Sequence, residues 1–485
     1  MTEQESNLKE KTVKGMFWGG IDMFFTKGLN FVFNLLIARQ LSPDDYGMVS
    51  IVAVIMAVCQ CFVDSGFGAA LVRKGKCTED DFSSIFYFNI AVALALYILL
   101  FIGSPIISEF YKQPLLNSVT KIYSIILIIN ALAIVQNSKL TIEVNFKAFA
   151  RISIISSLVS GSVALYFALR GYGIWSLIIQ SLANAAIRTI MLWVISYWRP
   201  KAIFSLKSIN ECFSFGSKLL GSSIINTLYN NIYTLVIGKV YSPESLGTYT
   251  RGESIIKFPS ETATTVISNV SYPILSSIKE DKEHYTEAYR QLTRMASFII
   301  FPMVIGLAAI ADPFIRICLT DKWEMSIPIM QILSFSLLWA PVTSIDLTIL
   351  KVIGRSDYFL KITIITKIIN IAILVSTVPF GLIAMCYGQI LATLIHLIVD
   401  AYYTKVSFGY GLKEKISDCG ANFLIAMVMG TIVILAQSAM SSPLSRLCVG
   451  VPSGVLSYII LAKMFKIKEL NKYVEIIVKT IKWSH

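Results

Sequence analysis

Apolar runs of about 20 residues, the length that crosses a bilayer as a helix, recur from end to end of this chain with short breaks between them. The pattern predicts spans near 15–39, 47–71, 83–104, 117–137, 151–169, 174–197, 214–239, 246–276, 291–311, 326–350, 358–379, 381–403, 419–439 and 444–463. The expected fold is therefore an all-α polytopic membrane protein of about fourteen helices. The eighth run is the most polar, with Arg251, Glu253, Lys257, Pro259, Glu261 and Pro273. It pairs in order with the second run, so a kinked helix lining a cavity is expected there.

Polar positions within the runs carry a second message. Asp22, Thr26, Asn30 and Asn34 recur every four residues in the first run, which places them on one helix face. That run ends in Leu36-Ile-Ala-Arg-Gln-Leu-Ser-Pro-Asp-Asp-Tyr-Gly47, and the chain repeats itself as Val236-Ile-Gly-Lys-Val-Tyr-Ser-Pro-Glu-Ser-Leu-Gly247. The stripe repeats at the same offset, as Ser222, Asn226, Asn230 and Thr234. Further on, Phe149-Ala-Arg-Ile-Ser-Ile-Ile-Ser156 matches Phe359-Leu-Lys-Ile-Thr-Ile-Ile-Thr366, and Gly103-Ser-Pro105 matches Ala311-Asp-Pro313. Spans one to six read as duplicated in seven to twelve. An even number of spans per copy gives both copies the same orientation, related by an axis along the membrane normal. The organisation expected is a cytoplasmic segment (1–14), an N-lobe (15–197), a linker (198–213), a C-lobe (214–403), two further spans (404–463) and a basic tail (464–485). A polar face in lipid must turn toward a partner or a water-filled space. Two such faces, one per copy, suggest two lobes around a shared hydrated vestibule.

Composition agrees: the chain is 55% hydrophobic and 15% charged, with mean hydropathy +0.67. The net charge of +12 does not indicate nucleic acid, because the basic residues cluster in alternate connections. One side carries Arg73 and Lys74, Lys139 and Lys147, Arg199 and Lys201, Lys279 and Arg290, Lys351 and Arg355, and Lys405, Lys413 and Lys415. The other carries few, among them Arg39, Lys112, Arg170, Lys239 and Arg316. Positive charge stays inside, so both termini are expected in the cytoplasm and the protein in a bacterial inner membrane. In the tail, Ile467, Leu470, Val474, Ile477 and Ile481 share one face and Lys468, Lys472, Lys479 and Lys482 the other. That is the pattern of an amphipathic helix on an anionic leaflet. The eight cysteines show no metal-ligand spacing.

No catalytic constellation appears, and the three histidines are scattered. Connections are mostly short, leaving no room for the large extramembrane domain that sugar chemistry normally needs. The candidates are the polar and ionisable groups inside the spans, since a charge at the bilayer centre costs roughly 2.5–3.5 kcal/mol unless it faces a cavity or a partner. Lys27, Asn30, Asn34, Arg188, Asn226, Asn230, Arg251 and Lys257 are expected to line a substrate cavity with a cationic lean. Asp22, Asp64, Glu261, His396 and Asp400 are candidates for ion coupling. Each has a plainer alternative: Glu253 with Lys257 is an i,i+4 pair, Asp64 lies near an interface, and His396 with Asp400 can simply lock helix packing. No metal or organic cofactor is implied; a coupling H+ or Na+ is the one exception.

The opening Gly15-Met-Phe-Trp-Gly-Gly, the Leu-Ile-Ala-Arg-x-Leu-Ser-Pro-Asp-Asp-Tyr-Gly turn and Phe62-Val-Asp-Ser-Gly-Phe-Gly-Ala-Ala-Leu-Val-Arg resemble Wzx-like polysaccharide flippases. These belong to the multidrug/oligosaccharidyl-lipid/polysaccharide exporter superfamily, whose multidrug branch is the MATE transporters. The last stretch is similar to the branch containing colanic-acid and teichuronic-acid translocases. The resemblance implies two six-helix bundles plus two spans, and no enzyme activity. It further implies translocation of an undecaprenyl-diphosphate-linked oligosaccharide by alternating access, with counterflow of an ion and with polysaccharide polymerase or chain-length machinery as partners. Two rivals stand beside it: a multidrug cation antiporter of the same fold, and a membrane glycosyltransferase or ligase.

Overall fold

A computed structural model of the chain describes residues 25–64, 66–75, 77–278, 282–473 and 475. Among them there is no strand, and most lie in helices. Among the described residues, eleven helical stretches, some of them two or three helices in succession, are long and apolar enough to cross a membrane, beginning at Pro43, Glu79, Leu115, Phe146, Ile174, His284, Ser326, Ser356, Leu382, Leu412 and Pro443. Each coincides with an expected span. The other three expected spans are the first, seventh and eighth. The first is helical over 25–40, its beginning lying outside the described residues, and the other two are helices whose polar faces keep them below that apolarity. Their large aliphatic side chains face outward on the other helices, as with Ile102 and Ile106, both 71% exposed. In water that would be a liability; in lipid it is the expected surface. This is a multi-pass membrane protein.

The chain divides into two compact units, Met1–Thr250 and Arg251–His485. Unit 1 contains α1 (25–40), α2 (Pro43–Asp64), α3 (Phe67–Lys74), α4 (Glu79–Tyr111), α5 (Leu115–Tyr123), α6 (Ile125–Ala131), α7 (Ile134–Ile142), α8 (Phe146–Leu169), α9 (Ile174–Ser196), α10 (Leu206–Asn230) and α11 (Ile232–Val240). It ends in the first turns of α12 (Pro243–Ser277). The pairs α8–α9 and α4–α5 pack closely, and α2 is central, touching α4, α5, α6, α9, α10 and α11. A core of Phe67, Leu71, Phe82, Phe86, Val135, Trp198 and Ile209 ties α3, α4, α7 and α10 together.

The repeated turn has a local cause. Ser42 caps α2: its hydroxyl accepts the Asp45 N–H at 3.3 Å, while the Asp45 carboxylate accepts the Ser42 N–H at 3.1 Å. That reciprocal pair is a capping box, with proline at the first helical position, where no N–H is needed. Ser242 does the same for α12, accepting the Ser245 N–H at 3.1 Å. The two capped ends also meet. A Cβ on Gly47 would lie 1.8 Å from the Pro243 carbonyl oxygen, and one on Gly247 would lie 1.8 Å from that of Pro43. Glycine at both positions lets two backbones touch. This contact joins α11 and the start of α12 to unit 1, although the sequence repeat assigns them to the second copy.

Unit 2 holds the remainder of α12, α13 (Lys282–Ala309), α14 (Ala311–Cys318), α15 (Ser326–Leu337), α16 (Ala340–Val352), α17 (Ser356–Thr377), α18 (Leu382–Phe408), α19 (Leu412–Ser438) and α20 (Pro443–Met464). Here α13 packs on α19, α19 on α20, and α17 on α18. Leu275, Tyr285, Tyr289, Ile345, Ile349, Phe408 and Tyr410 form its core. Lys415, expected in a connection, lies in α19 and is 2% exposed, because α19 starts at Leu412, earlier than its apolar run. The tail begins with a helical turn at 468–473 that docks on α13. Glu469 pairs with Arg294 at 3.2 Å, and the Tyr473 hydroxyl donates to the Met295 carbonyl at 3.1 Å. The rest of the expected amphipathic helix, apart from Glu475, lies outside the described residues.

Candidate functional site

Within unit 1, α1, α2, α5, α6, α8 and α9 enclose a cavity of about 520 Å³. Its wall is polar for a space inside membrane helices: Asn30 and Asn34 of α1, Tyr46 and Ser50 of α2, Tyr123, Asn130, Ser160, and Gln180, Ser181, Asn184 and Arg188 of α9. Val49, Ala53, Ile126, Leu177 and Ala185 fill the intervals. Helical periodicity builds it. On α9, residues 177, 180, 181, 184, 185 and 188 return to one face every turn, and on α1 residues 30 and 34 do the same.

Hydrogen bonds fix much of this wall. The Asn34 amide donates to the Asn30 carbonyl at 2.8 Å, and the Tyr46 hydroxyl to the Asn34 carbonyl at 3.3 Å. Asn184 Nδ2 donates to Ser160 Oγ at 3.2 Å, bridging α9 to α8, and the Tyr123 hydroxyl reaches Ser181 Oγ at 3.4 Å. Asn130 Nδ2 donates to Gln60 Oε1 at 2.9 Å, and Gln60 Nε2 to Asp64 Oδ1 at 2.8 Å. A chain of amides therefore links the cavity to a carboxylate at the end of α2. Arg188 is exposed at the rim, with Nη2 3.4 Å from Asn137 Oδ1. Amides and hydroxyls of this kind both donate and accept. The cavity suits a ligand rich in hydroxyls, with one guanidinium placed for an anion.

The residues expected from the sequence fall in several places. Asn30, Asn34 and Arg188 line the cavity. Lys27 lies half-buried on α1, one turn before Asn30. Asn226 and Asn230 are exposed on α10. Arg251 belongs to unit 2 and is 7% exposed, its guanidinium 5.7 Å from the Trp323 ring centroid; an aromatic face is a favourable seat for a guanidinium in an apolar interior. Lys257 pairs with Glu253 at 3.0 Å, and Glu261 is exposed on α12. Asp64 ends the amide chain. His396 Nε2 lies 3.4 Å from Asp400 Oδ2 in unit 2. Asp22 lies outside the described residues. Sequence reasoning missed Gln180, Ser181 and Asn184, yet a signal was present: Gln180, Asn184 and Arg188 keep the four-residue spacing that singled out α1, with Ser181 beside them. Tyr123, Asn130 and Ser160 come one to a helix and left no pattern to read.

No group of three or more metal-ligating side chains occurs among the described residues. On α14, Arg316 is clasped by Asp312 at 2.7 Å, Asp321 at 2.6 Å and Glu324 at 2.7 Å. Hydrogen bonds to Asp312 first, then to Glu324 and Asp321, hold its guanidinium above the ordinary arginine range, so it stays charged. The cluster is exposed and fastens a connection.

Comparison with known proteins gives the fold and the family. The chain is 23% identical over 462 residues to the teichuronic acid biosynthesis protein TuaB of Bacillus subtilis, covering 94% of this chain and 96% of that one. Its fold superposes on the lipid II flippase MurJ in an inward closed conformation with TM-score 0.75 at 17% identity, covering 92% of this chain and 98% of MurJ. An inward-facing MATE transporter of the MOP superfamily follows at TM-score 0.60 and 12% identity, over 80% and 98% of the two chains. With residues 36–328 matching the family described as polysaccharide biosynthesis protein, the chain belongs to that family.

Proposed function

We propose that this protein is a flippase that carries an undecaprenyl-diphosphate-linked oligosaccharide across the bacterial cytoplasmic membrane during surface polysaccharide synthesis. It acts by alternating access and is not an enzyme. The observation that carries the reading is the cavity itself, a pocket of amides and hydroxyls among lipid-facing helices. Each sugar hydroxyl costs roughly 2–7 kcal/mol to bury unpaired, and a diphosphate far more. Asn30, Asn34, Gln180 and Asn184 exchange water for protein partners, and Arg188 meets the phosphate at the rim. The isoprenoid needs no such site, because it stays in lipid. A multidrug cation antiporter fits less well, since the charged side chain among the lining residues is a guanidinium. Membership of a polysaccharide biosynthesis family supports the same choice. Basic connections place both termini in the cytoplasm, and the Gly47–Gly247 contact then closes unit 1 on the outer side. Asp64, at the end of the amide chain, and Glu261 remain candidates for ion coupling, as does Asp22.

The test is translocation of a labelled lipid-linked oligosaccharide in vesicles containing the purified protein. Asn184→Leu combined with Arg188→Ala removes a lining amide and the rim cation. A hydrogen bond to a charged group contributes about 1.5–3 kcal/mol, so the rate is expected to fall about tenfold or more while the folded protein persists. Full activity in this double variant would overturn the assignment of the cavity. Sugar transfer without a change of leaflet would overturn the flippase.

A further inference from the structure

Unit 2 buries a polar centre of its own. Asp346 of α16 is 0% exposed and lies between two donors, the Tyr289 hydroxyl of α13 and the Lys415 ammonium of α19. One carboxylate and one ammonium balance, so this pair is electrically complete. Asp400 of α18 is different. It is also 0% exposed, and neither of its carboxylate oxygens accepts a hydrogen bond. Its neighbour is His396, one turn earlier, with Nε2 3.4 Å from Oδ2 but without hydrogen-bond alignment.

Among the described residues, the charges that act on Asp400 and His396 include one cation, Lys415; Lys367 of α17, half-buried in a helix packed on α18, is not among them. Asp346 from α16 and Lys415 from α19 act on both Asp400 and His396. Lys415 is already committed to Asp346, with Tyr289, Tyr410 and Cys419 acting on the same group. From α17, Tyr358 meets α18 at Tyr403, its ring 5.0 Å away, with Lys361 and Arg355 over its face. From α15, Ser326–Leu337 offers no titratable side chain. With His396 neutral, Asp346, Lys415 and Asp400 sum to one uncompensated negative charge in a buried interior. An isolated buried carboxylate is among the costliest states a protein can hold, and it is relieved by taking up a proton.

We propose that Asp400 and His396 form a binding site for a single proton, with His396 as its port. The exposures fit that division: the His396 side chain is 30% exposed and reaches the surface of unit 2, whereas Asp400 is sealed. Imidazole takes a proton at one nitrogen and gives it up near neutral pH, and a 3.4 Å gap closes with a small rotation. A proton is taken up at Nδ1 and the one on the buried Nε2 passes to Oδ2, which leaves the imidazole neutral again; no other bond changes. The role of this site in driving translocation rests on the flippase reading, but proton binding does not.

Infrared difference spectra of the full-length protein in lipid nanodiscs, recorded between acidic and alkaline buffer, read the carbonyl stretch of a protonated carboxyl. One such band is expected to titrate in the wild type and to be lost in Asp400→Asn, whose amide copies the shape of the neutral acid. In His396→Gln the band should persist with its titration midpoint displaced; this variant carries the test if Asp400→Asn does not accumulate. A band unchanged by Asp400→Asn, a midpoint unmoved by His396→Gln, or no titrating carboxyl would overturn the proposal. A band that titrates only when sodium chloride is withdrawn would replace the proton by a sodium ion. The two readings fail separately. Vesicles that move lipid-linked sugar with no titrating carboxyl sink the proton site alone, while a titrating carboxyl in a protein that moves no sugar sinks the flippase alone.

Discussion

Asp346 and Lys415 are the residues whose loss the fold should feel most. Both are sealed in unit 2 and each is the other's counter-ion. Breaking such a pair leaves a bare charge in the interior, at about 3–5 kcal/mol. Lys415→Met alone is therefore expected to lower the thermal unfolding midpoint in detergent sharply. Lys415→Met with Asp346→Leu should recover most of the loss, because two apolar side chains replace two opposite charges at little net cost. Equal midpoints for single and double variants would show that the pair is not the reason. At this scale the sequence was legible where residues repeat and opaque where they pair at a distance. Asn30 and Asn34 announce themselves by spacing. The seat of Arg251 against Trp323 depends on residues 72 positions apart in the chain, and the Asp346–Lys415 pair spans 69 positions, so neither leaves a local trace.

Helix ends and helix faces were easier to foresee. Eleven apolar runs became helices where expected because burial of the backbone in lipid leaves a long apolar stretch little choice. The Ser-Pro turns were equally readable, since a capping serine followed by proline starts a helix for local reasons. What local pattern does not give is the partner of an amphipathic segment. The tail reads as a membrane-surface helix from its charges, yet its first turn binds protein through Glu469 and Tyr473, and the Tyr473 ring stacks on Phe298 with centroids 5.8 Å apart. Tyr473→Ala is expected to cost about 1–3 kcal/mol by removing a buried hydroxyl bond and a ring contact. Hydrogen exchange in α13 near Met295 should rise with it. The Arg316 cluster sets the contrast: Asp321 and Glu324 are exposed and Asp312 is half-buried, so Arg316→Ala should cost no more than about 1 kcal/mol, and less in high salt. Because those carboxylates hold the guanidinium above its usual range, its contribution is present at neutral pH and is lost in strong alkali.

In the whole molecule, the two units hold different kinds of polar group. Unit 1 holds a polar cavity, and unit 2 holds a buried ion pair. A duplication seen in sequence says that two segments began alike; it does not say which side chains each later kept for polar work. The join of the copied turns gives the sharpest expectation at this scale. Gly47→Ala places a methyl group within the Pro243 carbonyl, an overlap no rotamer relieves. Overpacking of that kind costs about 1–3 kcal/mol, and Gly247→Ala should cost a similar amount, read as a lower unfolding midpoint of the purified protein. If both variants unfold as the wild type does, the backbones are not in contact. The arrangement also restrains descent. Each glycine fills the space its counterpart's proline leaves, so neither half of the chain is at liberty to change its turn alone. Among descendants of this chain, larger residues at position 47 should arise only together with a shift at 243, and the mirror-image rule should bind 247 to 43.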